Sequence, residues 1–352
     1  MIHSARLKVK KIIKETDQAV SIELEIPKEL QTEFQYVSGQ YLTFIASIQN
    51  EELRRSYSLC SSPEESKWKV AVKEVEGGRF SNFACRKLNE GDELEVLPPN
   101  GKFCLPSKIE DTDQFLLIAA GSGITPVISM IKTILHSSNA TVFLLYGNQN
   151  SDQIIFKDEL LDLKNQFVDR LSLHFILSQE IVEEELFYGR IDVQKIRAFD
   201  KKLFDLNKIK EIFMCGPEAM ILDLKNEFIT KGLRDDQIHF ELFGIAAVSK
   251  PKSAIVHKDG NCMVNLKLDG RTMNFNLEFN TNSILDAALK NKANLPYACK
   301  GGVCCTCKAK LLSGKVNMYV NYGLEPDEIA NGYILTCQSY PESDEVSIDF
   351  DV

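Results

Sequence analysis

Long apolar runs are missing from this chain. Its longest purely apolar stretches, such as Phe115–Ala120, fall far short of the ~18 residues a membrane-spanning helix requires. The opening Met1–Arg6 leads straight into charged residues without the apolar centre of a signal peptide. Membrane insertion and secretion are therefore not expected. A basic excess is missing as well. Lys and Arg number 41 against 50 Asp and Glu, a formal charge of −9, which argues against a nucleic-acid binder and its basic face. Cysteine numbers ten in 352 residues, well below the ~8–10% that marks a disulfide scaffold. There is no internal repeat and no low-complexity tract. These absences leave a cytoplasmic globular chain whose cysteines are reduced or hold a metal. With 44% hydrophobic residues it can bury full cores, and at ~150 residues per domain its length predicts two or three domains.

Residues 1–107 read as short strands. Leu7–Ile12 and Val20–Ile26 alternate apolar with polar, and Gly39–Ile45, Lys67–Val75 and Asp92–Leu97 continue the pattern between Gly, Pro and Asn turns. Little helix is expected, which suggests an antiparallel barrel. From about residue 108 to 245 strands alternate with helices. The strands are Phe115–Ala120, Thr141–Tyr146, Leu171–Leu177 and Glu211–Met214; the helices are Pro126–Leu135, Lys157–Asn165, Val193–Phe199 and Glu218–Lys231. That order predicts a doubly wound parallel α/β sheet. Ala246–Ser253 reads as a linker within 246–260. In 261–352, Asp269-Gly270 between Met263–Leu268 and Arg271–Glu278 predicts a hairpin, and Ser283 opens a short helix.

The cysteines form two populations. Cys60, Cys85, Cys104, Cys215 and Cys262 are scattered, whereas Cys299, Cys304, Cys305 and Cys307 fall within nine residues and Cys337 follows. Cys299, Cys304, Cys307 and Cys337 have the C-x4-C-x2-C…C spacing of a plant-type [2Fe–2S] site. A loop so spaced can wrap a cluster with three thiolates inward, while Gly301-Gly302 lets the backbone approach. Zinc, which favours two C-x2-C pairs or Cys/His knuckles, is the competing occupant. Cys305 fits no ligand slot. The segment 253–352 resembles plant-type ferredoxins, which implies an α+β β-grasp domain.

Two further motifs point to nucleotides. Gly121-Ser-Gly123-Ile-Thr125-Pro126 follows a buried strand and opens a helix, where a glycine turn can cradle a phosphate. It lacks the third glycine of G-x-G-x-x-G, so an ordinary dehydrogenase fits poorly, and a tight turn without ligand remains open. Arg55-Ser-Tyr57-Ser58 alone is a weak match that a surface arginine would also explain. It is followed, however, by Lys73-Glu-Val-Glu-Gly77-Gly78-Arg79-Phe80-Ser81, Pro99-Asn-Gly101-Lys-Phe103, Tyr146-Gly147-Asn148 and Cys215-Gly216-Pro217-Glu218-Ala-Met220. This ordered series resembles the ferredoxin–NADP reductase superfamily.

The resemblance implies that Arg55 pairs with a flavin phosphate, Tyr57 packs on the isoalloxazine and Ser58 hydrogen-bonds near flavin N5. It places Lys73 in the flavin-binding series and implies that a Gly77–Ser81 turn, with Gly78, serves the pyrophosphate. Gly121, Gly123, Thr125, Pro126, Tyr146, Gly147, Asn148, Ser178, Gly216 and Pro217 would hold the nicotinamide nucleotide. Cys215 would lie near the nicotinamide, and Glu241, in His239-Phe-Glu-Leu-Phe243, at the C-terminal end of the module. FAD is the implied flavin on the Pro-Asn-Gly-Lys-Phe segment, with FMN the alternative. NADPH is the family expectation, but Gln149 and Gln179 stand where NADP-preferring relatives often carry arginine, which leaves NADH open.

The module order, flavin then nicotinamide then ferredoxin, is similar to reductase components of multicomponent oxygenases, and the motif set most resembles the reductase family of phenylacetyl-CoA (ring-1,2-) epoxidases. The implied path runs from NAD(P)H through flavin to the cluster and on to a partner protein. That partner is an oxygenase component or another redox acceptor, such as a hybrid-cluster protein or a desaturase. A flavoprotein with a zinc-stabilised interaction domain is the reading from a different class. Val316–Val352 holds eight acidic residues and no Lys or Arg, either a solvated face or a docking surface for a basic partner.

Overall fold

The computed structural model describes residues 4–49, 51–243 and 260–352. They divide into two compact units, one within 2–244 and one within 245–352.

The first unit begins with six antiparallel strands: β1 (Ala5–Thr16), β2 (Ala19–Glu25), β3 (Tyr41–Ile48), β4 (Glu51–Ser58), β5 (Trp68–Lys73) and β6 (Glu93–Asn100). Their order is β4-β3-β6-β1-β2-β5, and a Leu59–Val70 bridge joins the two outer strands into the expected barrel. Alternate residues Leu7 and Val9, Ile22 and Leu24, and Val70 and Val72 fill its interior. Strand β4 was not expected, because Glu-Glu-Leu-Arg-Arg-Ser-Tyr-Ser shows no clear apolar period. It is a strand through its eight-pair ladder with β3, from Ile48–Glu51 to Tyr41–Ser58. Helix α1 (Arg79–Arg86) also went unforeseen. It begins just after Gly78, so the expected Gly77–Ser81 turn ends early and Ser81 lies in the helix.

The same unit continues with β7 (Gln114–Ala120), β8 (Thr141–Asn148), β9 (Leu171–Leu177), β10 (Glu211–Gly216) and β11 (Ile238–Leu242), all parallel in the order β11-β10-β7-β8-β9. Helices α2 (Ile124–Ser137), α3 (Lys157–Gln166), α4 (Val193–Phe199) and α5 (Glu218–Thr230) connect them. Phe115–Ala119 are fully buried, as expected of a parallel strand covered on both faces. The chain winds outward from β7 to β9 and then returns to β10. The switch point between β7 and β10 is where such sheets bind ligands, outside the carboxyl ends of the strands. Strand β11 holds His239–Leu242 of the His239–Phe243 segment, where the local pattern predicts no strand.

The second unit has a five-stranded mixed sheet, β13-β12-β18-β14-β16, built from β12 (Asn261–Leu268), β13 (Arg271–Glu278), β14 (Lys308–Ser313), β16 (Tyr333–Leu335) and β18 (Glu345–Asp349). Strands β15 (Val316–Met318) and β17 (Ser339–Pro341) pair separately, and α6 (Ile284–Lys290) and α7 (Pro326–Ala330) complete the unit. Asp269 and Gly270 have φ of 52° and 70°, the left-handed pair of a type I′ hairpin. Ser283 caps α6, its Oγ accepting the Asp286 amide at 3.2 Å. The C-terminal strand β18 lies parallel to β12 inside the sheet, as a β-grasp requires. The linker read at Ala246–Ser253 lies outside the described residues.

Candidate functional site

At the barrel's exit, β4 presents Arg55, Tyr57 and Ser58 in succession. The Arg55 guanidinium is exposed, with Nη1 donating to the Arg54 carbonyl at 2.7 Å. Tyr57 stacks on Phe80 of α1 at 5.5 Å between centroids and meets Phe44 edge-on at 5.9 Å. Phe80, itself buried, thus backs this surface from the core. Lys73 closes β5, half-buried, its ammonium pushed below the ordinary lysine range by burial. Gly77 has φ +70° and open space where a side chain would stand, while a Cβ on Gly78 would lie 2.4 Å from Ser81 Oγ. The Ser81 hydroxyl accepts the Val75 amide at 3.2 Å and donates to the Gly78 carbonyl at 3.4 Å. Its proton is engaged within the turn, as is the Gly78 amide, which donates to the Val75 carbonyl at 2.8 Å.

At the switch point the Gly121–Gly123 turn caps β7. Gly121 has φ +55°, and a Cβ on Gly123 would stand 2.1 Å from the Cys215 carbonyl oxygen, so the turn packs directly on the end of β10. Thr125 Oγ1 donates to the Ser122 carbonyl at 3.0 Å, and Pro126 sits in the first turn of α2. Tyr146 departs from its expected role. Its ring is fully buried and its hydroxyl donates to the Gly121 carbonyl at 3.0 Å, so it holds the turn from beneath and cannot touch a nucleotide. Asn148, at the end of β8, is 9% exposed, and neither amide atom of its side chain has a hydrogen-bond partner. An orphaned amide of this kind beside a glycine cradle suits a polar ligand. Ser178 donates to the Asn148 carbonyl from both N and Oγ, at 3.0 and 3.3 Å, and the exposed Gln149 and Gln179 join through a 2.7 Å backbone bond. A Cβ on Gly147 would meet Ile191 at 3.2 Å, and one on Gly216 would meet Met220 at 2.9 Å; Pro217 then caps α5.

The two surfaces meet at Glu241. In β11 it is the register partner of Cys215 in β10, and its Oε2 accepts from Ser58 Oγ at 3.3 Å. Burial, reinforced by Glu241, raises the Cys215 thiol well above its ordinary range and keeps it neutral. Cys104, scattered in the sequence, donates its thiol to the Gly101 carbonyl at 3.6 Å and lies within the electrostatic reach of the same carboxylate. Its thiol is pushed up to about 11 by burial and Glu241. No spacing rule could have found it, because the two residues are 137 positions apart in the sequence and approach only in the fold.

In the second unit the four predicted thiols approach as two pairs, Cys299 with Cys304 and Cys307 with Cys337. In each pair one thiol is lowered by its partner's hydrogen bond and the other raised. The Gly301 and Cys304 amides donate to Cys299 Sγ at 3.3 and 3.5 Å. Lys300 and Gly302 take φ of 53° and 77°, and a Cβ on Gly302 would lie 2.8 Å from the Val320 carbonyl oxygen. Cys305 instead donates to the Gly323 carbonyl at 2.7 Å. Among the described residues no three His, Cys, Asp or Glu side chains gather as a single-ion site would need. Four thiols in two pairs match the donor set that a [2Fe–2S] cluster takes.

Comparison with known proteins agrees with this geometry. Residues 4–104 match the oxidoreductase FAD-binding domain, 117–226 the oxidoreductase NAD-binding domain and 266–342 the 2Fe-2S iron-sulfur cluster binding domain. The protein is an oxidoreductase with FAD-, NAD- and [2Fe–2S]-binding domains. It is 44% identical over 346 residues to a component of the 1,2-phenylacetyl-CoA epoxidase of Escherichia coli (strain K12), covering 98% of this chain and 97% of that component. It is 32% identical over 362 residues to the ferredoxin reductase component of 3-ketosteroid-9-alpha-monooxygenase of Mycobacterium tuberculosis (strain CDC 1551 / Oshkosh), covering 99% and 96%. Its fold is that of phthalate dioxygenase reductase, with TM-score 0.62, 24% identity and coverage of 99% and 98%. The chain belongs to the family of flavin and iron–sulfur reductase components of multicomponent oxygenases. No helix among the described residues is long and apolar enough to cross a membrane.

Proposed function

We propose that this chain is the reductase of a multicomponent monooxygenase, drawing electrons from NADPH or NADH and delivering them to an oxygenase component of the phenylacetyl-CoA epoxidase type in the cytoplasm. The division of labour follows 1–107 for FAD, 108–245 for the nicotinamide nucleotide, 246–260 as linker and start of the ferredoxin domain and 261–352 for the cluster. When bound, the nicotinamide supplies two electrons together as hydride, the flavin takes the pair and releases single electrons, and the [2Fe–2S] cluster passes them on one at a time.

The observation that carries this reading is the Ser58–Glu241 hydrogen bond, which brings the exit of β4 against the carboxyl ends of β10 and β11. Arg55 serves a flavin phosphate through its planar fork. Tyr57, backed by Phe80, packs on the isoalloxazine. Ser58 lies near flavin N5 with its one proton given to Glu241, so that carboxylate orients the hydroxyl and leaves its oxygen to face the flavin as an acceptor. The neutral Cys215 thiol and the Gly121–Gly123 turn exclude water on the nucleotide side. Cys299, Cys304, Cys307 and Cys337 would hold the cluster. Among the acidic residues beyond Val316, Glu328 pairs with Lys308, and Asp349 and Asp351 pair with Lys267, so part of that face is occupied within its own unit.

Steady-state reduction with NADPH and with NADH, combined with phenylacetyl-CoA-dependent oxygen uptake in the presence of the oxygenase component, tests the proposal. Coupled oxygen uptake is expected. Rapid reduction of artificial acceptors without coupled uptake would favour a general reductase serving another acceptor.

A further inference from the structure

Lys132 is 4% exposed on α2, about two helical turns beyond the Gly121–Gly123 turn, and no part of the flavin or nucleotide surface uses it. An ammonium so buried persists only when fully paired. Lys132 Nζ donates to the Cys60 carbonyl at 3.1 Å and to Glu65 Oε2 at 3.3 Å, both in the barrel, and pairs with Glu159 of α3. Glu159 in turn holds Lys69 of β5 at 3.3 Å. Ser129 lies one turn before both Lys132 and Thr133 on α2, adjacent to each on the helix surface. Ser129 Oγ donates to the Ser61 carbonyl at 2.6 Å. Thr133 Oγ1 donates to Glu64 Oε2 at 3.1 Å and shares a 2.7 Å hydrogen bond with Ser38 Oγ. Cys60, Ser61, Glu64 and Glu65 belong to the segment that leaves β4 directly after Ser58.

We infer that Lys132, with Ser129 and Thr133, is a positioning latch for flavin reduction. It fixes α2 along the exit of β4 and so sets where the nucleotide turn stands relative to Ser58. The inference rests on the reading of Ser58, Cys215 and Glu241 as the place where nicotinamide meets flavin. Apolar packing alone would tolerate sliding of one surface over the other. Directional bonds to two consecutive backbone carbonyls do not, and a displacement of about 1 Å at reacting atoms can cost about 100-fold in rate. The latch acts through the helix and touches neither nucleotide nor flavin.

The test uses the full-length, FAD- and cluster-loaded protein in anaerobic single-turnover reduction by NADH and by NADPH. Lys132→Met should keep its flavin content and bind nucleotide with a dissociation constant within about twofold of the parent, yet show a limiting rate of flavin reduction at least about tenfold lower. Lys132→Arg should recover most of that rate. Hydrogen exchange over 58–66 and 124–137 should accelerate in Lys132→Met before any nucleotide is added. A merely structural lysine would lower the melting temperature while leaving the limiting rate per bound flavin unchanged, and that result overturns the inference. If Lys132→Met does not load flavin, Ser129→Ala and Thr133→Val carry the same expectation at about threefold each, and parental rates in both overturn it. Ser58→Ala separates the two readings. If it leaves the limiting rate unchanged, the assignment of the site fails; if it slows reduction while Lys132→Met does not, the latch alone fails.

Discussion

Gly123→Ala distinguishes sterics from chain entropy at the nucleotide turn. Gly123 has φ −61° and ψ −9°, a conformation alanine adopts freely. Judged by backbone entropy alone, the substitution would stabilise the protein by about 0.4–1 kcal/mol. The added methyl, however, would lie 2.1 Å from the Cys215 carbonyl oxygen and 2.5 Å from its carbon. Both obstacles are backbone, so the turn or the end of β10 must retreat by about 1 Å, and overpacking of this kind costs about 1–3 kcal/mol. For a unit of this size that is about 2–12 °C in melting temperature. The displaced turn should also lose affinity for NADH and NADPH. Gly121→Ala is the control. Its φ of +55° makes alanine strained by about 1–2 kcal/mol, but nothing lies within 4 Å of the new methyl. Thermal unfolding of the flavin-loaded variants, with nucleotide titration by flavin absorbance, reads both effects. Gly123→Ala should weaken nucleotide binding more than Gly121→Ala does. A Gly123→Ala protein as stable as the parent, with unchanged nucleotide affinity, would refute the packing argument.

Tyr146→Phe should lower stability by about 0.5–1.5 kcal/mol, the net worth of one hydrogen bond, in chemical denaturation; no loss would mean the Gly121 carbonyl needs no anchor. Cys305→Ser should retain two irons and two sulfides per chain, whereas Cys337→Ser should lose the cluster, both read by metal and sulfide analysis. Glu159 carries a pH signature. Burial favours its neutral form, but Lys132 and Lys69 outweigh burial and hold the carboxylate below its ordinary range. Its contribution is therefore complete above about pH 4.3 and is lost as pH falls through its lower folded value. Glu15, raised by burial, works in the opposite sense, so acid-unfolding curves should be compared between the parent and Glu159→Gln, which lacks this step. If the acidic stretch beyond Val316 steers docking, electron delivery to the oxygenase should slow as salt rises, and a salt-independent rate would remove that role.

The sequence was most legible where one local rule decides structure. Phe115–Ala120 reads as a buried strand because no polar residue interrupts it, and Asp269-Gly270 as a turn because few other pairs accept two left-handed conformations. The four cysteines read as cluster ligands stand out because three of them lie on one loop with the spacing such a site requires. Strand β4 was hidden because its ladder partner, not its own composition, makes it a strand. Tyr146 was misplaced because a motif gives residue identity without direction, and this ring points into the core. Glu241 was expected only near the end of its module. Its meeting with Ser58 and Cys215 depends on β11 pairing with β10, which no local pattern announces. The Lys132 cluster was silent for the same reason, since its partners come from three distant segments.

A chain that converts paired electrons from a nicotinamide into single electrons at an iron–sulfur cluster must carry both a flavin and the cluster. Anaerobic reductive titration of the purified protein, with flavin, iron and sulfide determined on the same sample, tests it most directly. One FAD, two irons and two acid-labile sulfides per chain are expected, with uptake of three electrons, two at the flavin and one at the cluster. One zinc without sulfide, and uptake that stops at two electrons, would contradict it.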